Sequence, residues 1–285
     1  MKIIRDLGFG AYNAKKRLSL FCALIVFALW APPPQAQVPQ DLPPLPPCEV
    51  YRQGPLLTRE IAVYSLPPGD DPDAFEMVPI HYRELYDFGG MSGTPDGRPD
   101  STLLVDITIT DGQPLPRHIR NTTPPQQQTF FTMLLRGHSY LMPAQMIAII
   151  GGRPVQDTDS GRVIDGEWVY DPGPFNRTGE MFYGFERVTI DDGLDYARRR
   201  RLEMFIREDD AGHITSFIEC SELGSVPNPG CSLYEQSGVF WLDYGFRRNQ
   251  MHLLETIRAH AHGFAQCLTQ PLSHGKGESD GTATD

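Results

Sequence analysis

The residues that could form a nucleophilic site are Ser92, His81 and His138. Ser92 lies between Gly90 and Gly93 in a stretch rich in glycine and proline, and His81 precedes it in the chain. A serine nucleophile needs a histidine base within hydrogen-bond reach and an acid that orients the histidine. The order and spacing of these residues do not support such a triad, so the sequence predicts a turn-rich loop around Ser92.

Three histidines near the C-terminus, His252, His260 and His262, could in principle be metal ligands. They fall in a predicted helix, where His252 and His260 would be about 80° apart and His262 would point to another side. We therefore expect them at exposed or edge positions rather than around one ion. No zinc spacing, complete calcium loop, phosphate loop or dinucleotide motif occurs elsewhere, so no metal or cofactor is predicted.

Clusters of charged residues are the remaining candidates for a site. Three pairs of neighbouring acids lie in predicted turns, where such residues are usually solvated: Asp70–Asp71, Asp191–Asp192 and Asp209–Asp210. The run from Arg198 to Arg201 lies at the start of a predicted strand, so only two of its arginines share a face. Acidic residues flank this run, and we expect local ion pairs instead of a nucleic-acid contact.

Four cysteines remain after a predicted export signal is removed: Cys48, Cys220, Cys231 and Cys267. An even number in an exported chain is typical of two disulfides. Of the three possible pairings we favour Cys220–Cys231, because the turn-rich segment between them brings the chain back on itself. That choice leaves Cys48–Cys267. In the chain-entropy model the short loop contributes about 3 kcal/mol and the long loop about 5 kcal/mol.

The export signal is predicted at residues 1–36. Lys15, Lys16 and Arg17 precede an apolar stretch at 18–31 that is too short for an ordinary membrane-spanning helix. Small residues follow, and we expect cleavage after Ala36, which would place the protein in the periplasm or outside the cell. An uncleaved membrane anchor is the alternative.

Beyond the signal, the chain is predicted to contain a proline-rich linker at 37–47, one domain at 48–268 and a disordered tail at 269–285. The whole chain has a formal net charge of −11. Removing residues 1–36 takes away five basic residues and one acidic residue, which leaves 20 basic and 35 acidic residues and a net charge of −15. Such a charge disfavours nonspecific binding to nucleic acid or anionic lipid and favours a basic protein partner.

Short β-branched and aromatic segments separated by glycine and proline predict that most of the domain is antiparallel sheet. The predicted strands are 60–66, 102–110, 130–136, 145–150, 167–170, 181–190, 196–207 and 214–220, followed by a hairpin at 231–246. Apolar residues then recur in steps of three and four, which predicts an amphipathic helix: Met251, Leu254, Ile257, Ala261, Phe264 and Leu268. Asn249 is its predicted N-cap. The predicted fold class is α+β, a mostly antiparallel β-sheet with this C-terminal helix packed on it and two disulfides.

Residues 214–268 also resemble a group of known proteins. The strand ending at Cys220, the sequence Pro229-Gly230-Cys231, the aromatic hairpin and the amphipathic helix are similar to exported proteobacterial proteins of unknown function. Some of these look like periplasmic immunity proteins associated with type VI secretion. The resemblance implies a non-enzymatic protein that binds and occludes a toxin, and it transfers no functional residue.

The sequence thus favours an exported periplasmic binding protein without catalytic activity. We expect its binding residues on the two long loops at 88–100 and 114–128, because long loops inside a domain are usually mobile or functional. Two alternatives remain open. One is a periplasmic hydrolase whose site forms only in the fold, and the other is an envelope structural protein held by an uncleaved signal.

Overall fold

The computed structural model describes residues 42–64, 75–86, 100–137, 143–151, 162–164, 167–169, 172–191 and 201–272. The predicted signal peptide, the first part of the predicted linker and most of the predicted tail lie outside these residues. So do Ser92, His138 and the predicted functional loop at 88–99. No helix of the described residues is both long enough and apolar enough to cross a membrane.

Twelve strands occur among the described residues. They are β1 (Leu56–Tyr64), β2 (Phe75–Arg83), β3 (Thr102–Thr108), β4 (Phe130–Arg136), β5 (Arg162–Ile164), β6 (Glu167–Val169), β7 (Asn176–Phe182), β8 (Phe185–Thr189), β9 (Leu202–Glu208), β10 (Ile214–Ser221), β11 (Gly230–Ser237) and β12 (Phe240–Arg247). The α-helices are α1 (Glu49–Arg52), α2 (Arg117–Thr122), α3 (Pro143–Ile150) and α4 (Leu254–Thr269). Short 3-10 turns occur at Glu84–Tyr86, Pro125–Gln127 and Arg248–Leu253.

Eight described strands form the main antiparallel sheet, in the order β3-β4-β12-β11-β10-β9-β8-β7. Strands β1 and β2 pair separately as a long antiparallel hairpin, and β5 pairs with β6. From β7 to β12 each strand pairs with the next one in the chain, so neighbours in this part of the sheet are also neighbours in sequence. The predicted α+β fold class, with a helix packed on antiparallel sheet, is confirmed.

Helix α4 packs between the main sheet and the small β1–β2 sheet. It contacts β2 on one side and β4, β11 and β12 on the other. All six residues of the predicted apolar stripe are buried, which confirms the stripe as core. The predicted N-cap is wrong: a 3-10 turn beginning at Arg248 precedes the helix, and Gln250 accepts a hydrogen bond from the Arg247 amide there.

The opposite face of the main sheet is covered in part by α3. Ile147 and Ile150 pack there with a second apolar cluster that includes Val188, Ile206 and Phe217. The prediction of a strand at 145–150 is therefore wrong. Every residue of this short segment is apolar or buried, so it carries no period that separates a helix from a strand, and Pro143 suits the first turn of a helix.

Three other predicted elements differ from the structure. The segment 181–190 is not one strand: it contains the end of β7, the turn and the whole of β8. Of the strand predicted at 196–207, residues 196–200 lie outside the described residues, Arg201 is in a turn, and β9 begins at Leu202. The predicted loop at 114–128 contains α2 and a 3-10 turn, and residues around Pro114 and Leu115 hydrogen-bond to the outer edge of β3.

Both disulfides join the predicted pairs. Cys220 and Cys231 face each other on β10 and β11, so their bridge crosses two paired strands. Cys48, at the start of α1, is bonded to Cys267 near the end of α4. Arg52 of α1 also donates hydrogen bonds to the carbonyls of Cys267 and Gln270. Helix α1 is therefore joined to the C-terminal end of α4 and supplies hydrogen bonds to carbonyls there.

The two bridges are expected to differ in their contribution to stability. Because the Cys48–Cys267 bridge spans 219 residues and the Cys220–Cys231 bridge spans 11, the double variant Cys48→Ser/Cys267→Ser should lose about 5 kcal/mol of unfolding free energy. The variant Cys220→Ser/Cys231→Ser should lose about 3 kcal/mol. Urea unfolding of both variants beside the wild type measures this order, and the reverse order would contradict it.

Candidate functional site

Glu235 is the most unusual ionisable residue of the core. It lies on β11 in phase with Cys231 and Leu233, whose side chains point toward α4, so strand alternation turns the carboxylate inward. Its side chain is 1% exposed. A carboxylate removed from water in this way is costly unless several donors surround it.

Four side chains supply those donors. Arg258 of α4 donates from Nε and Nη2 to Glu235 Oε2 at 3.3 and 3.2 Å, and Ser216 of β10 donates to the same oxygen at 3.1 Å. The Tyr244 hydroxyl of β12 donates to Oε1, and His262 Nε2 lies 2.6 Å from that oxygen. Because a carboxylate only accepts, Nε2 carries the proton of this contact. We call these five residues the Glu235 cluster.

The electrostatics of the cluster favour the ionised form of Glu235. Burial alone would raise its pKa, but the charges of Arg258 and His262, together with the hydrogen bonds from His262 and Tyr244, bring that pKa well below its usual value. Burial raises the pKa of Tyr244, and the neighbouring Glu235 adds to this effect. Tyr244 therefore stays a neutral donor, and Glu235 stays a charged acceptor.

No path for a substrate leads to the Glu235 cluster in the described part of the chain. Arg258, His262 and Tyr244 are fully buried. A groove of about 300 Å³ lies elsewhere, where the end of α3 meets Pro172, Pro174 and Phe175, and it contains no residue of the cluster. The Glu235 cluster joins α4 to the main sheet, and the charged groups of the cluster are not accessible to solvent.

A second buried polar contact fixes the other side of α4. His260 Nδ1 lies 3.1 Å from the Tyr51 hydroxyl of α1. Burial lowers the pKa of His260, although Asp111 and the Ile109 backbone oppose this shift. Gly112 packs directly on the ring, because a Cβ there would lie 2.6 Å from His260 Nδ1. A larger residue at position 112 would displace the histidine.

Contacts extend outward from the Glu235 cluster to the β7–β8 hairpin. The Arg258 guanidinium lies 5.6 Å from the ring centre of Phe185 on β8, and that of Arg207 on β9 lies 4.2 Å from the same ring. Arg207 also forms an ion pair with Glu255 of α4 at 3.5 Å. It donates hydrogen bonds to the carbonyls of Gly184 and Tyr183 at 3.3 and 3.4 Å. The turn of this hairpin is thus tied to the core through one arginine.

The turn itself is strained and carries exposed apolar side chains. Tyr183 and Gly184 join β7 to β8 and have φ values of 49° and 76°. Two positive φ values are typical of a type I′ turn, for which asparagine followed by glycine is preferred. Here tyrosine takes the position where asparagine is preferred. The side chain of Tyr183 is 45% exposed, and that of nearby Met181 is 65% exposed. Below the turn, Phe182 stacks on Phe205 at 5.5 Å. We call Met181 and Tyr183 the hairpin tip.

Of the suspected catalytic residues Ser92, His81 and His138, only His81 is among the residues that the structure describes. His81 on β2 lies 3.0 Å from the Thr58 hydroxyl of the paired strand. Arg201 is exposed in a turn and pairs with Glu222 at 3.7 Å. Asp209 accepts hydrogen bonds from the backbone of its own turn, as predicted for that acidic pair.

The prediction for the three histidines holds only for His252, which is exposed. It is wrong for His260 and His262, which are buried: His262 faces Glu235 on the main sheet, and His260 packs against Tyr51 of α1 and Gly112. The Glu235 cluster was missed, although two signals pointed to it. Glu235 continues the inward alternation of Cys231 and Leu233, and Arg258 and His262 are four residues apart on one side of α4.

Comparison with known proteins gives two distant structural similarities. No protein-family model matches the chain, and no curated sequence matches it significantly. Smlt3025, an immunity protein of the Stenotrophomonas maltophilia type IV secretion system, is 13% identical with a TM-score of 0.43, covering 73% of this chain and 92% of that one. The Neisseria meningitidis iron-regulated outer membrane lipoprotein FrpD is 8% identical with a TM-score of 0.38, covering 80% and 98%. Similarities this weak assign neither a fold family nor a function.

Removal of the Glu235 charge should strongly destabilise the fold. We expect Glu235→Gln to lower the unfolding free energy by about 3–5 kcal/mol, because the buried guanidinium of Arg258 would lose the buried carboxylate that faces it. Glu255→Gln is the matched control, since Glu255 contacts the same arginine at 3.1 Å but is 41% exposed, and it should cost at most about 1 kcal/mol. Equal losses in urea unfolding would contradict this account.

The same variant gives an expected pH dependence. The folded pKa of Glu235 lies below its unfolded value of about 4.3, so its stabilising effect is fully present above that pH and is lost as the pH falls. The difference in unfolding free energy between the wild type and Glu235→Gln should therefore shrink as the pH falls below about 4. A difference that instead grows toward low pH would rule out an ionised Glu235.

Strain at Tyr183 should also be measurable. We expect Tyr183→Asn to raise the unfolding free energy by about 1 kcal/mol, because asparagine accepts a positive φ more readily than tyrosine does. Tyr183→Ala removes the ring without relieving the backbone and serves as the control. If the alanine variant is as stable as the asparagine variant in urea unfolding, the positive φ does not store strain.

Proposed function

We propose that this protein is an exported, non-catalytic protein that binds another protein through the hairpin tip. One observation carries the proposal: Met181, near the end of β7, and Tyr183, in the turn that follows, are both exposed, and Arg207 holds that turn in place. Large exposed apolar side chains that are close together are typical of binding surfaces. A site for chemistry is not needed for this role.

The backbone at Tyr183 strengthens this interpretation. A tyrosine at positive φ costs stability that asparagine would not cost, and aromatic residues are frequent at the centres of protein interfaces. The other described apolar residues of comparable exposure include Leu223 and Val239, which lie singly in separate turns. A strained, exposed tyrosine beside an exposed methionine is therefore better explained by binding than by folding.

Export is supported by the two disulfides. Bridges of this kind persist mainly in oxidising compartments such as the periplasm. With the signal at residues 1–36, the mature chain would begin at Gln37. Purification of the protein from the periplasm followed by N-terminal sequencing tests this point, and a chain that still begins at Met1 would support the membrane-anchored alternative.

The most specific form of the proposal is a periplasmic immunity role, in which the partner is a toxin. Its support is the resemblance of residues 214–268 to exported proteins of that kind. Deletion of the gene in cells that keep its genetic neighbours should then reduce survival. Survival that is unchanged by the deletion would contradict the immunity role and leave the more general binding role standing.

Binding through the hairpin tip can be tested with matched variants. Tagged wild-type protein and the variant Met181→Ser/Tyr183→Ser are each used to capture proteins from a periplasmic extract. We expect a specific protein to be captured by the wild type and lost with the variant. If the variant lowers the affinity for this partner by about 30-fold or more, the hairpin tip lies at the centre of the interface.

The control variant is Leu223→Ser/Val239→Ser, which removes two apolar side chains exposed at 65% and 48%, much like Met181 and Tyr183. It should capture the same protein as the wild type. Equal loss in both variants, or no loss in either, would contradict a binding role for the hairpin tip.

A further inference from the structure

We propose that the partner presents a lysine or arginine beside an apolar side chain, with the apolar group on the hairpin tip and the cation at Glu186 and Glu208. This inference rests on the proposed function and adds the chemistry of the partner. Strand alternation places the two carboxylates on the same face of the sheet as Met181. Met181 faces Glu186 directly across the β7–β8 pair.

The charge on this face is not balanced among the described residues. Arg177 of β7 is the arginine that reaches both acids: its Nη1 lies 2.5 Å from Glu186 Oε2, and its Nη2 is paired with Glu208. One guanidinium thus serves two carboxylates. Arg187 and Arg207 occupy alternate positions in β8 and β9, so they point to the opposite face, where Glu180 and Glu255 are their partners. A net negative charge is left beside an exposed methionine.

The partner is expected to contact side chains rather than to add a strand. The pairing of β7 with β8 is interrupted between Arg177 and Met181, and Gly179 there has a φ of 74°. The Gly179 amide donates to Glu186, and the Glu180 amide donates to the Thr178 hydroxyl. Because a bulge bends the edge and two amides are used locally, β7 is a poor template for strand addition.

A second copy of the chain does not fit this surface. The mature chain has a net charge of −15, so two copies would bring equal excess charge together. The same negative charge would attract a basic partner during encounter. The bound partner would then place its cation beside the acids of this face. The turn is held by Arg207, so little conformational entropy would be lost when the partner binds.

A library of random 12-residue peptides displayed on phage provides a defined probe. Selection is carried out on the folded full-length protein with both disulfides intact, and binders that also bind Met181→Ser/Tyr183→Ser are discarded. We expect the remaining peptides to contain a lysine or arginine next to an aromatic or aliphatic residue. Their dissociation constants are then measured by calorimetry at two salt concentrations, and higher salt should weaken binding.

Two charge variants separate recognition from a merely structural effect. Glu186→Gln/Glu208→Gln should weaken binding of the selected peptides about threefold to tenfold and flatten the salt dependence. Arg177→Gln should strengthen binding about threefold, because it leaves both carboxylates without their guanidinium. A purely structural role of these residues would weaken binding in both variants. The dispersion of the amide spectrum checks that each variant is folded.

The outcomes distinguish this inference from the proposed function. Peptides that require the hairpin tip but carry no basic residue, or weaker binding by Arg177→Gln, would overturn the basic chemistry and leave the binding site standing. Failure of the library to yield any peptide that depends on Met181 and Tyr183 would overturn the site itself. A wild-type dimer that is lost in Met181→Ser/Tyr183→Ser would show that a second copy is the occupant and would contradict the inference.

Discussion

The rest of the structure depends on one buried ionised carboxylate. Glu235 lies between the main sheet and α4, where an unpaired charge would cost several kcal/mol. Its donors come from three neighbouring elements, β10, β12 and α4, so those elements can pack in only one relative position. Apolar packing alone tolerates small shifts of a helix on a sheet. The two donors to Glu235 on α4, which are four residues apart, instead fix the rotation of the helix about its axis and its position along that axis.

Other contacts reinforce this position from both ends of the helix. The disulfide between Cys48 and Cys267 holds the end of α4, and Tyr51 fixes His260 on the side that faces away from Glu235. The small β1–β2 sheet then covers the helix, which explains why most residues of an amphipathic sequence are buried. From Arg258 the contacts continue through Phe185 and Arg207 to the backbone of the hairpin turn. A rigid core thereby holds a strained and exposed tyrosine in place.

Local patterns predicted much of this fold, since strands, turns and an amphipathic period need only neighbouring residues. The strands at 102–110 and 130–136, the final hairpin, the apolar stripe of α4 and the Cys220–Cys231 disulfide were predicted in this way, and the Cys48–Cys267 pair followed by elimination. Helix α3 was not, because its apolar run has no polar face to show a period. The β7–β8 turn was missed because tyrosine occupies a position where asparagine would have marked it.

The candidate sites were harder to predict, for two physical reasons. Tyr51 and Gly112, which cover His260, are far from α4 in sequence, and Glu235, which contacts His262, lies on a different element, so no local pattern reports these contacts. The hairpin tip depends on exposure and backbone angle, which are properties of the folded chain. We predicted function on long loops, whereas the proposed site is a short turn between the edge strand β7 and its neighbour β8.

The central claim is that the hairpin tip is where this protein meets its partner, and site-specific photo-crosslinking in living cells tests it most directly. A photoreactive phenylalanine analogue is placed at position 183 and, in a second strain, at position 239, which lies in another exposed hairpin turn. The account predicts that position 183 forms a discrete crosslink to another protein and that position 239 does not. A discrete crosslink from position 239 with none from position 183 would contradict it.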